Sequence, residues 1–96
     1  MTNTEKIKLS DLQYMLYKQV QHKDVLLDRL ENYRKCMQFY LSNGRIREFE
    51  SMVSKYLDDK HDLEFTYSAI IRLGMNIEIL KKNEEERTRY NGKVGK

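Results

Sequence analysis

An all-α fold built on a long antiparallel helical hairpin is what this sequence predicts, and three observations predict it. Apolar residues recur at steps of three and four along most of the chain, and strict alternation is rare. Proline is absent and only four glycines occur, too few to punctuate an all-β chain. The pair Asn43-Gly44 sits between two long periodic stretches. Between short alternating runs that dipeptide would mark a β-hairpin. Between helical runs it marks a helix stop.

The first element opens at Ser10-Asp11-Leu12-Gln13, which fits a capping box with Ser10 as the cap and Gln13 reaching back. Asp11 adds negative charge where the helix dipole favours it. Leu9, Leu12, Leu16, Val20, Leu27, Leu30, Tyr33, Met37 and Leu41 then form one apolar row. Met15, Leu26, Phe39 and Tyr40 flank it. Residues 10–43 read as one helix of about 50 Å at 1.5 Å per residue. Gly44 follows as the left-handed residue beyond its end.

The rhythm resumes at once with Ile46, Phe49, Val53, Tyr56 or Leu57, Leu63, Tyr67, Ile70, Ile77 and Leu80. So short a connection returns the second helix antiparallel beside the first. Its end is open to two readings. It runs unbroken from 45 to about 88, or it stops at Leu73. In the second case Gly74 is a further stop and Asn76 caps a short third helix, 77–89. Residues 1–86 form a single helical domain in either case. Residues 87–96 lack apolar rhythm, hold Gly92 and Gly95, and read as a flexible basic tail.

Two arms cannot cover all the apolar surface. Val25-Leu26-Leu27, Phe39-Tyr40-Leu41 and Ile70-Ile71 place apolar groups on more than one narrow seam. Pairing of two hairpins into a bundle, a homodimer, is the expected solution. A third helix folding back within a monomer is the alternative.

Composition narrows the function. The single cysteine, Cys36, excludes an intramolecular disulfide and a thiolate metal cluster. It lies among Tyr33, Met37 and Tyr40 and reads as a packing thiol, at least half-buried. The opening residues MTNTEKIKLSDLQ lack an apolar signal core, and no stretch approaches a membrane span. The expected location is cytoplasmic. Eleven lysines and six asparagines lean toward an AT-rich genome, such as that of a phage or other mobile element.

Catalysis finds no grouping. His22 and His61 fall far apart on an antiparallel hairpin, and neither falls near Cys36. Asp58-Asp59-Lys60-His61-Asp62 is the densest polar cluster, and Asp58 and Asp62 share a helix face. His61 is turned away from them, and no metal-ligand spacing is present. No enzyme activity, cofactor, metal or small-molecule substrate is expected.

The expected role is that of a non-enzymatic interaction protein, an adaptor, inhibitor or assembly factor, docking a protein partner on its helical faces. Tyr14, Tyr17, Tyr33, Tyr40, Tyr56 and Tyr67 are the candidate interface residues. Tyrosine gives large contact area at low entropy cost. The alternative is a small nucleic-acid-binding regulator. Lys81, Lys82, Arg87, Arg89, Lys93 and Lys96 would neutralise phosphates. Residues 70–81 also bear a weak resemblance to a helix-turn-helix, with Gly74 at the turn and Asn76 as cap, although Ile70 is bulky where that motif wants a small residue.

Overall fold

The computed structural model describes residues 8–94, with side chains as far as Glu86. It is an antiparallel hairpin of two helices, α1 (Leu9–Ser42) and α2 (Ile46–Val94), with no strand among the described residues. The molecule measures 78 × 26 × 14 Å.

The start of α1 differs from the capping-box expectation. The cap position is Lys8, in extended backbone, with no side-chain cap bond. Its carbonyl accepts from the amides of Asp11 (3.0 Å) and Leu12 (3.2 Å). Ser10 therefore lies inside the first turn. Leu9 is half-buried, and the helix begins early enough to lay it on the seam. Asp11 does occupy the first turn.

The turn follows the sequence reading. Gly44 has φ +68°, the left-handed conformation. The Arg45 amide donates to the Tyr40 carbonyl at 2.8 Å, and the Gly44 amide to that of Leu41 at 3.2 Å. These are the two bonds of a Schellman ending. Asn43 Nδ2 adds a bond to the Phe39 carbonyl at 2.7 Å. The Arg45 carbonyl accepts from the Phe49 amide and opens α2. Arg45 also reaches Glu48 at 2.8 Å. That bond, and after it a backbone hydrogen bond, holds the Glu48 carboxyl below its ordinary range.

The seam positions of α1, each buried or half-buried, run Leu9, Leu12, Leu16, Gln19, Lys23, Leu26, Leu30, Tyr33, Met37 and Tyr40, with half-buried Val20 beside them. Those of α2 run Phe49, Met52, Tyr56, Asp59, Leu63, Thr66, Ile70, Leu73, Ile77 and Leu80. Steps of three and four alternate strictly in both, as a narrow two-helix seam requires. Leu26, Leu30 and Leu63 form the core cluster, with Tyr33 and Tyr56 packed against it. Carried along both helices at constant rise, this register sets Leu12 level with Ile77, Lys23 with Thr66, and Leu30 with Asp59.

This seam corrects part of the apolar row. Leu26, placed in the flanking row, is fully buried, and Leu27 is 42% exposed. Leu41, Ile46, Leu57 and Tyr67 are exposed as well. Four seam positions, Gln19, Lys23, Asp59 and Thr66, are polar. A row traced through apolar letters steps over them and drifts to the neighbouring side.

The second glycine does not end a helix. α2 passes through Gly74 unbroken, so the segment 77–89 is part of α2 and forms no separate third helix. Leu80 stands level with Leu9, and residues 81–94 run past the start of α1. The backbone is helical to Val94. The side chains of residues 87–94, and residues 95 and 96, lie outside the described residues, and with them the expectation of a flexible tail.

Candidate interaction surface

The middle of the seam is polar. Asp59 is buried at a seam position and takes the guanidinium of Arg29 from the opposite helix. Arg29 Nη2 donates to Asp59 Oδ1 at 3.0 Å. Arg29 Nε lies 2.9 Å from Oδ2, an ion-pair distance without hydrogen-bond alignment, so Oδ2 is compensated by charge alone. The Tyr33 phenol first, and the Asp59 carboxylate second, hold Arg29 above its ordinary range. Thr66, 3% exposed, satisfies its hydroxyl by donating to the Asp62 carbonyl at 2.9 Å. One turn away, His22 Nε2 lies 3.2 Å from Asp62 Oδ2 at the surface. The Arg29–Asp59 pair ties the two helices to one register, because a slip would strand the buried carboxylate unpaired.

The rest of the surface is rich in large apolar side chains. Among the described residues five apolar side chains are buried, and fourteen large ones are exposed. The exposed set divides between the two sides of the seam. On one side stand Tyr17, Leu27, Leu41, Ile46, Leu57, Tyr67 and Ile71, with half-buried Val20 and Val53 beside them. The other side carries the His22–Asp62 and Arg29–Asp59 pairs. It also holds a shallow groove of about 380 Å³ lined by Tyr14, Met15, Lys18, Ala69, Arg72 and Asn76.

The six tyrosines are not equivalent. Tyr33, Tyr40 and Tyr56 are half-buried on the seam. The Arg34 guanidinium lies 6.0 Å from the Tyr56 ring centroid, and that of Arg45 lies 5.6 Å from the Tyr40 ring. Tyr14, Tyr17 and Tyr67 are exposed, at 61%, 57% and 43%. Sequence reasoning selected the tyrosines by type. It did not select Phe65, Ile71 or Met75, all at least 60% exposed, which only the helix phase places outside.

The remaining candidates scatter. Cys36 is exposed, contrary to the packing role read from its neighbours, because it stands one position off the seam between Tyr33 and Met37. Asp58 and Asp62 form no metal-binding group, and no cluster of three potential ligands occurs among the described residues. Residues 70–81 are continuous helix, so they have no turn and are not a helix-turn-helix. Lys81 and Lys82 are exposed beside Glu78 and Glu85. Arg87, Arg89, Lys93 and Lys96 lie outside the residues whose side chains are described. Among the described residues no helix is long and apolar enough to cross a membrane.

No protein-family model matches this chain, and neither a curated protein nor a solved structure shows significant similarity to it.

Proposed function

We propose that this chain is a non-enzymatic docking protein, an adaptor, inhibitor or assembly factor that holds a protein partner against the sides of its helical hairpin. One observation carries the reading. The seam of this two-helix hairpin buries a single line of contacts, and fourteen large apolar side chains among the described residues are left on the surface. Seven of them stand on one side of the seam, and a concentration of exposed apolar side chains is a usual mark of an interaction site. Helical faces are read by partners through residues at steps of three and four. Tyr17 and Tyr67 supply aromatic anchors, and the groove beside Tyr14 supplies a second foothold.

Site-specific photo-crosslinking in native lysate tests the reading. A photoreactive residue at Tyr17 is expected to give discrete adducts with a protein of defined mass, a second copy included. The same residue at Asp28, on the exposed back of α1, is expected to give none. No discrete adduct from Tyr17, or the same adducts from Asp28, would overturn it.

A further inference from the structure

We propose that the side of the hairpin bearing Tyr17, Val20, Leu27 and Tyr67 binds a second copy of this chain, turned end for end, to complete a four-helix bundle. The inference rests on the docking reading above and names its partner.

The pattern on that side carries the argument. One apolar cluster, Tyr17, Val20, Tyr67 and Ile71, lies toward the open end of the hairpin. Another, Leu41, Ile46 and Val53, lies toward the turn. The stretch between them holds Asp24, Glu31 and Arg34 on α1 and Lys60 and Glu64 on α2, with Leu27 and Leu57 among them. A half-turn about an axis crossing α1 near residue 29 and α2 near residue 60 lays one cluster on the other. Tyr17 then faces the partner's Leu41, and Tyr67 faces the partner's Val53.

The charges agree with that arrangement. The same half-turn sets Asp24 against the partner's Arg34, and this contact occurs twice. Both side chains reach solvent, at 65% and 57% exposure; their ion-pair partners are in their own helix, Lys23 for Asp24 and Glu31 for Arg34, each at 3.2 Å, and Arg34 also lies against the Tyr56 ring of α2. Lys60 meets its own copy at the axis, where the partner's Glu31 and the partner's Glu64 flank it. Rotation about the long axis of the hairpin is the competing symmetric arrangement. It sets Asp24 against the partner's Glu64, a like-charge contact. A face as long as α1 and two helices wide covers roughly 1,000 Å² per copy, near the roughly 800 Å² of a standard interface.

Sedimentation velocity on the full chain across the micromolar range tests this. A dimer is expected. Asp24→Arg, and separately Arg34→Asp, should weaken it about tenfold or more, and the double exchange should restore it to within about threefold. Phe65→Lys, on the other side, should leave the dimer unchanged. Circular dichroism confirms that each variant folds. If either single exchange loses helicity, Tyr17→Glu replaces it and should weaken the dimer alike. A monomer throughout, a dimer indifferent to the exchanges, or one lost in Phe65→Lys would overturn the proposal. A monomer that still gives discrete crosslinked adducts overturns the homodimer and leaves the docking reading standing. A monomer without adducts overturns both.

Discussion

Arg29→Met should destabilise the hairpin even though Arg29 is half-exposed. The reason is what it leaves behind. Asp59 keeps only 12% of its side-chain surface, while Arg29 keeps 49%. Removing the guanidinium leaves a carboxylate enclosed by a leucine-lined seam. Breaking one side of a fully buried ion pair costs about 3–5 kcal/mol. Here half of the pair is already in water, and solvent can re-enter where Arg29 was. The expected loss is therefore about 1.5–3 kcal/mol. The converse change separates cost from gain. Asp59→Leu removes the buried charge, sets an apolar group level with Leu30, and frees an arginine that water can hydrate. It should raise stability by about 1–2 kcal/mol. Urea unfolding followed by circular dichroism reads both, at one protein concentration because association would shift the midpoint. If Arg29→Met stays within about 0.5 kcal/mol of the parent, Asp59 is not desolvated and the reasoning fails. If Asp59→Leu is destabilising, the pair is a net source of stability and the account of the polar seam is wrong.

Three further outcomes are expected from the same unfolding measurement. Leu26→Ala should cost about 2–4 kcal/mol and Leu27→Ala under about 1, because the first is fully buried and the second is 42% exposed. Equal effects would refute the seam phase. Gly44→Ala should cost about 1 kcal/mol, since its φ is left-handed although a Cβ there meets nothing. Gly74→Ala should instead gain about 0.5–1 kcal/mol, since it lies within α2 and a Cβ there also meets nothing; a loss would argue for a break at that point. Finally, Arg45 holds the Glu48 carboxyl below its ordinary range. The stability that this bond adds is present above the unfolded-state value and is lost as pH falls through the lowered one. Arg45→Ala should flatten that part of the acid profile, and an unchanged profile would dismiss the bond as a contributor.

The hairpin was legible because its signals are local. A Schellman ending needs a residue that tolerates positive φ, and Gly44 after Asn43 announces one. Helical spacing on both sides leaves the antiparallel return as the only way to cover two apolar faces with so short a link. Gly74 shows the limit of such signals. It has the same letters as a stop, but the seam on both sides of it keeps one phase, and the packing of Leu73 and Ile77 holds the helix through it. The interaction surface was legible only by residue type. The tyrosines were visible, but whether each faces the seam or water depends on a phase set by Gln19, Lys23, Asp59 and Thr66, four polar residues that apolar tracing passes over.

The sequence by itself determined the fold class, the position of the turn and the excess of apolar surface over what two helices can bury. These follow from backbone preference and from composition, which act residue by residue. Tertiary structure alone decided which leucine is core and which is surface, why an aspartate lies at a leucine seam, and how the exposed apolar groups divide between the two sides of that seam. Those depend on the register of one helix against the other, and the pairing of Arg29 with Asp59 across the hairpin, thirty residues apart, marks it.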